Sequence, residues 1–185
     1  MTFHRMVPRL HQRKLRAQMS AQQTWWIDQP FVLASCNPGN EELGQLRLQG
    51  FRVVASLLEE DKQPARYAKK SAAVAGWATY SMPIVAGGAP SIDRLGAMMV
   101  RLKAYAKGTK ILIHCESGTG RAALIGAAYW IGKGLTMGEA MARIAQAGVE
   151  PGWATEERKQ LLRQWRSAHG TLVQGSPRRA LRKQS

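Results

Sequence analysis

A chain of 185 residues, 45% of them hydrophobic, has the length and composition of one folded domain with its own core, which excludes a disordered or low-complexity polypeptide. Its longest apolar stretch, Ala122 to Gly132, is too short to cross a bilayer, and two cysteines exclude a disulfide-stapled scaffold. The formal net charge of +15 is uneven: residues 1–21 and 163–185 hold eleven basic side chains and no acidic one, whereas 22–162 hold 16 basic against 12 acidic.

In chain order, residues 1–21 form a basic arm (His4, Arg5, Arg9, His11, Arg13, Lys14, Arg16) with no acid before Asp28. A solvated tail, an amphipathic arm and a transit-like peptide all fit this composition. The arm lacks the apolar run of a secretory signal, and two cysteines suit a reducing compartment. A cytoplasmic protein is therefore expected, with organelle targeting by the arm as the alternative. A catalytic domain is expected over 22–168. Strands are predicted near 31–35, 51–58, 77–84 and 110–114 from short apolar runs. Helices are predicted near 40–49, 64–74, 91–107, 121–133, 136–147 and 154–168. Asn40 and Ser91 stand at plausible helix starts, and Thr136 with Glu139 makes a capping box. This alternation predicts a single α/β domain: a central, mainly parallel sheet of about four to five strands with helices on both faces. The six tryptophans (25, 26, 77, 130, 153, 165) read first as core or rim packing, although one of them can wall a pocket. The tail 169–185 ends in Gly175-Ser-Pro-Arg-Arg and further basic residues, the composition of an unstructured end.

The chemistry lies in Ile111-Leu112-Ile113-His114-Cys115-Glu116-Ser117-Gly118-Thr119-Gly120-Arg121. Strand, glycine-rich turn and helix in succession make a phosphate cradle, because the glycines let successive backbone N–H groups converge and the helix N-terminus adds positive potential. A thiol in that position, beside cationic groups, ionises far more readily than a free one. Cys115 is thus the candidate nucleophile. Arg121 offers a planar fork matched to two phosphoryl oxygens. Glu116, Ser117, Gly118, Thr119, Gly120 and Arg121 are the candidate phosphate-binding residues, and the set points to phosphoryl transfer through a phosphocysteine. No metal or cofactor is called for. A buried structural cysteine is the alternative, but it leaves the glycines and Arg121 without a purpose.

His114-Cys115, five residues and then Arg121, in this setting, resembles the cysteine-dependent protein tyrosine and dual-specificity phosphatases, in particular the small atypical dual-specificity type. The resemblance runs over roughly residues 22–166. Thr24-Trp25-Trp26-Ile27, then Phe31 to Ser35 and Pro38, are similar to the start of that domain. Phe51 to Glu59 is similar to its second strand and the turn after it, and Pro83-Ile84 with Gly87 to Ser91 to the stretch before the phosphate-loop strand. The resemblance implies the α/β fold above and hydrolysis of phosphorylated proteins or small phosphomonoesters.

Two departures stand out. Where the family carries its general acid, this chain reads Pro83-Ile84-Val85-Ala86, and where a hydroxyl follows the loop arginine it has Ala122. In the family that hydroxyl helps the thiolate leave. A missing general acid costs about 10²–10⁴-fold, most for poor leaving groups. Glu59, at the end of an apolar run and so at the sheet edge where ligands bind, is the first candidate replacement; Asp93 is the second, although the helix start around it explains an acid there by the dipole alone. Glu116 reads as a solvent-facing substrate contact and His114 as a residue that orients the loop. Cys36 is the only possible disulfide partner for Cys115, with a small buried residue as its default reading. A slow phosphatase, an RNA 5′-phosphatase or triphosphatase, and a non-catalytic phosphate- or phosphoprotein-binding module all remain open. The basic ends suit an anionic partner, RNA or acidic lipid, or plain solvation, and a monomer is expected.

Overall fold

The runs Val32–Ser35 (β2), Phe51–Ser56 (β3) and Lys110–His114 (β5) are buried almost throughout, as strands are in a parallel sheet covered on both faces. In the computed structural model, which describes residues 24–105 and 108–170, they form the centre of a five-stranded sheet. The strand order is β1-β2-β5-β3-β4, with β1 at Thr24–Asp28 and β4 at Ala78–Ser81. β1 runs antiparallel to β2, and the other pairs are parallel. Ser35 of β2 and Ser56 of β3 both pair with His114 of β5, so three strands end level at one edge.

Alternate side chains face opposite layers, as the twofold repeat of a strand requires. Val32, Ala34, Val53, Ala55, Ile111 and Ile113 meet α3 (Ile92–Tyr105), α4 (Arg121–Gly132), α5 (Met137–Gln146) and α6 (Glu156–Gly170). Leu33, Val54 and Leu112 meet α1 (Asn40–Leu48) and α2 (Lys69–Val74). Ten of the twelve residues of α4 are buried. Its alanine-rich sequence lets neighbours approach closely: a Cβ on Gly126 would lie 2.9 Å from Ile144 Cδ1 and 3.1 Å from the Trp25 ring. The predicted capping box is present, with Thr136 Oγ1 accepting from Glu139 N and Glu139 Oε2 accepting from Thr136 N.

The structure bears out the predicted fold class, and it differs from the predicted elements in four places. β1 is an additional strand: Trp25 and Ile27 are buried and Thr24, Trp26 and Asp28 only partly so, an edge strand too short to register as a periodic run. The helix predicted over 64–74 begins only at Lys69. Pro64 cannot extend a helical ladder, and Asn37 holds this segment in a loop, donating to the Pro64 carbonyl at 3.0 Å and accepting from Arg66 N at 3.2 Å. The strand predicted to reach 84 ends at Ser81 because Pro83 lacks an N–H, although Met82 N and Ile84 N still donate to Ser56 and Leu57 carbonyls. A 3₁₀ turn, Pro151–Trp153, precedes the last helix, which starts at Glu156 and runs two residues past 168. The basic arm 1–21 and the tail beyond Gly170 lie outside the described residues.

Candidate active site

The level strand ends place four segments around one opening: the loop Cys115–Gly120 after β5, the turn after β3, the segment Pro83–Ala89 after β4, and the start of α6. Between them and the stretch 148–155 that leads into α6 lies a cavity of about 540 Å³, lined by loop residues Glu116, Ser117, Thr119 and Gly120 together with Arg121. Cys115 is buried at the loop's root, its N–H donating to the Ser35 carbonyl at 3.3 Å. The glycines have separate reasons. Gly118 has φ +79°, a backbone region that favours glycine, and its carbonyl accepts from Trp25 Nε1 at 2.9 Å, so β1 braces the loop from below. Gly120 is the residue from which α4 starts.

Arg121 is buried, and its Nη1 donates to the carbonyls of Leu57 (3.3 Å) and Ile84 (3.1 Å). These bonds fix the guanidinium plane and leave Nε and Nη2 without a bond among the described residues. Beneath the loop, His114 is fully buried and its Nε2 lies 3.1 Å from the Tyr67 hydroxyl. Burial first, then the charges of Arg121 and Lys69, lower its pKa to about 3, so the ring is neutral at physiological pH. Burial, with the charge of Glu60 adding to it, pushes Tyr67 up to about 12. The pair is therefore a neutral hydrogen-bonded support under the loop.

The sequence candidates for the acid separate in space. Ala86, the position that the sequence resemblance matches to the family's general acid, lines the cavity beside Gly87. Glu59 is not among the lining residues, and its carboxylate bonds Lys62 at 3.1 Å. Asp93 stands in the first turn of α3 and does not line it either. Glu116 lines the opening and accepts from Asn37 Nδ2 at 3.3 Å. Cys36, at the end of β2, is a half-buried free thiol, as Cys115 is a buried free one; burial pushes Cys36 up despite the nearby charge of Arg66.

Other lining residues carry no distinguishing mark in the sequence. Gln63 stands in the wall with a buried Oε1 that has no hydrogen-bond partner. Trp153 is the tryptophan that walls the pocket, and Glu150 stands nearby. Arg158, in the first turns of α6, is almost completely buried. It follows Glu156-Glu157 and precedes Lys159, so in sequence it belongs to an ordinary charged helix surface. Burial lowers its pKa below the usual arginine range, while the charge of Cys115 raises it, that of Arg121 lowers it and that of Glu157 raises it.

Residues 21–173 match the family model described as "Swiss Army Knife protein, DSP-PTPase phosphatase domain", and the chain belongs to this family of dual-specificity-type phosphatase domains. Among solved structures, Tk-PTP in its active form is 27% identical with a TM-score of 0.69, covering 78% of this chain and 96% of its own. PTPMT1 in complex with PI(5)P is 22% identical with a TM-score of 0.71, covering 81% of this chain and 98% of its own. Kinase associated phosphatase is 18% identical with a TM-score of 0.67, covering 80% and 94%; the last two likenesses speak to the fold. No curated protein matches the chain.

Proposed function

We propose that this chain hydrolyses phosphomonoesters of the phosphotyrosine or dual-specificity type through a phosphocysteine. The observation that carries the reading is a glycine-bent loop lining the cavity, with Cys115 buried at its root and an arginine in the cavity wall whose orientation is set by two backbone carbonyls. In the first step Cys115 Sγ forms a bond to phosphorus while the ester P–O bond breaks, and the departing oxygen takes a proton from water. In the second, a water oxygen attacks phosphorus, the S–P electron pair returns to sulfur, and the proton that water gives up neutralises the hydroxide left by the first step as hydrogen phosphate departs. Loop N–H groups and the Nε and Nη2 edge of Arg121 hold the phosphoryl oxygens through both steps.

With a methyl group at Ala86 and Glu59 bonded to Lys62, the departing oxygen lacks a strong proton donor at the family's position. Good leaving groups, aryl phosphates and anhydrides, are the substrates this favours, and the same observation supports phosphate binding with little turnover as the second reading. A side-by-side turnover assay with an aryl phosphate, an alkyl phosphate and a 5′-triphosphorylated RNA decides between them. Turnover of the aryl phosphate with trappable phosphocysteine supports the hydrolase. Phosphate binding without turnover of any of the three supports the binding module, and turnover of the triphosphorylated RNA alone moves the activity to RNA.

A further inference from the structure

Arg158 is an arginine taken out of water without an anionic partner. Its Nε donates to the Gly88 carbonyl at 2.9 Å and its Nη1 to the Trp153 carbonyl at 2.8 Å. No carboxylate of the described residues lies within 4.0 Å of it. The adjacent Glu157 is turned elsewhere, its Oε1 accepting from Ala89 N at 3.3 Å. Nη2 makes no bond among the described residues. A buried guanidinium in this condition is unfavourable unless the working state supplies negative charge beside it.

Two observations say where that charge arises. Arg158 lines the same cavity as Arg121, Ser117 and Thr119, and its Nη1 would lie only 3.7 Å from a Cβ built on Gly120, the last residue of the loop before α4. The guanidinium therefore stands at the rim of the phosphate cradle. Position 122, the first after the loop arginine, is a fully buried alanine and offers the loop no hydroxyl donor. Arg158 feels the charges of both Cys115 and Arg121, which lies six residues beyond that cysteine in the chain, and His114, the residue before Cys115, is neutral.

We infer that Arg158 is a second arginine of the reaction centre, its Nη2 edge meeting the phosphoryl oxygens and supporting the negative charge that returns to Cys115 when the S–P bond breaks. This assignment rests on the phosphocysteine reading and adds to it a residue from a distant helix. Arg158 thereby shares with the loop N–H groups the work for which Ala122 has no hydroxyl. The two backbone bonds to Gly88 and Trp153 hold it at that station.

The test is rapid-quench kinetics on the full chain with a radiolabelled aryl phosphate, following both turnover and acid-trapped phosphoenzyme. Arg158→Met should lower kcat on the order of 10²-fold and raise the steady-state fraction of phosphoenzyme, since thiolate departure is the step left unsupported. Arg158→Lys, which keeps the charge, should fall between wild type and Met. Ala122→Ser should leave wild type within about twofold and raise turnover of the Lys and Met variants severalfold, as expected for a hydroxyl donor at an anionic site. A kcat for Arg158→Met within twofold of wild type overturns the assignment. A lower kcat with no added phosphoenzyme and no gain from Ala122→Ser also overturns it, leaving Arg158 as a clamp on the 83–89 segment. If Arg158→Met does not fold, the Lys variant with and without Ala122→Ser gives the same decision. Absence of phosphoenzyme in wild type is a separate result: it removes the phosphocysteine reading itself, before any variant is compared.

Discussion

At the scale of single residues, the site depends on geometry that charge alone does not supply. Arg121→Lys keeps a positive charge but loses the fork that reaches two oxygens while bonding Leu57 and Ile84 carbonyls. Turnover of an aryl phosphate by this variant should drop roughly 10²-fold or more, and steady-state rates near wild type would make Arg121 structural. The acid position gives an opposite kind of prediction. Ala86→Asp should raise activity on alkyl phosphates more than on aryl ones, up to about 10²-fold, because only the poor leaving group needs the proton. Glu59→Gln run alongside shows whether that carboxylate, bonded to Lys62, contributes at all. His114 makes a prediction about stability. Its imidazole is neutral in the folded protein down to a pH of about 3, whereas the unfolded chain protonates it near 6.5. Its contribution is complete above pH 6.5 and is lost as pH falls toward 3, at up to roughly 1.4 kcal/mol per pH unit. Urea unfolding at pH 6.5 and 5.2, above the range where carboxylates dominate, should show this slope, and His114→Gln should flatten it.

At the scale of elements, α4 joins the chemistry to the core. Its first residue is Arg121, the proposed phosphate-binding arginine, and its middle packs against β1 and α5, so a change in its seating reaches the loop. Gly126 is the tightest point: an added methyl meets Ile144, the Trp25 ring and Ile27 at 2.9, 3.1 and 3.2 Å. Gly126→Ala should cost about 1–3 kcal/mol in urea unfolding, as overpacking does. It should also weaken inhibition by inorganic phosphate, because Trp25 both packs there and donates to Gly118. A destabilised variant with unchanged phosphate inhibition would separate the two roles of Trp25. The Pro83–Ala89 segment is a second junction, held by Arg94 to Pro83 (2.7 Å), Arg121 to Ile84 and Arg158 to Gly88. Both candidate arginines of the cavity thus also hold the segment that carries Ala86.

At the scale of the whole molecule, the charge of +15 belongs mostly to the chain ends, while the sheet, its helices and the cavity lining described above are drawn from residues 24–105 and 108–170. No helix among the described residues is long and apolar enough to cross a membrane. Removing residues 1–20 and 174–185, outside the family match, should leave kcat on an aryl phosphate within about twofold and weaken binding to RNA or anionic vesicles, with binding by the full chain falling steeply as salt rises. Fluorescence titration at two salt concentrations checks this. Full-length protein that binds neither polyanion at low salt would reduce the ends to solubilising segments.

Local signals carried the alternation of strands and helices, and they are where the proposed phosphate loop and the proposed loss of acid and hydroxyl are legible, because each is written in residues adjacent along the chain: the apolar runs, His114 to Arg121, Ala86 and Ala122. The strand Thr24–Asp28 escaped because an edge strand of five residues draws its stability from its partner and from Trp25 packing on α4, not from its own pattern. Arg158, Gln63 and the choice of Trp153 among six tryptophans came only from the tertiary structure. They line the same cavity as the loop through crossings of the chain that no spacing encodes, and Arg158 looks in sequence like any cation on a solvated helix until burial removes the solvent.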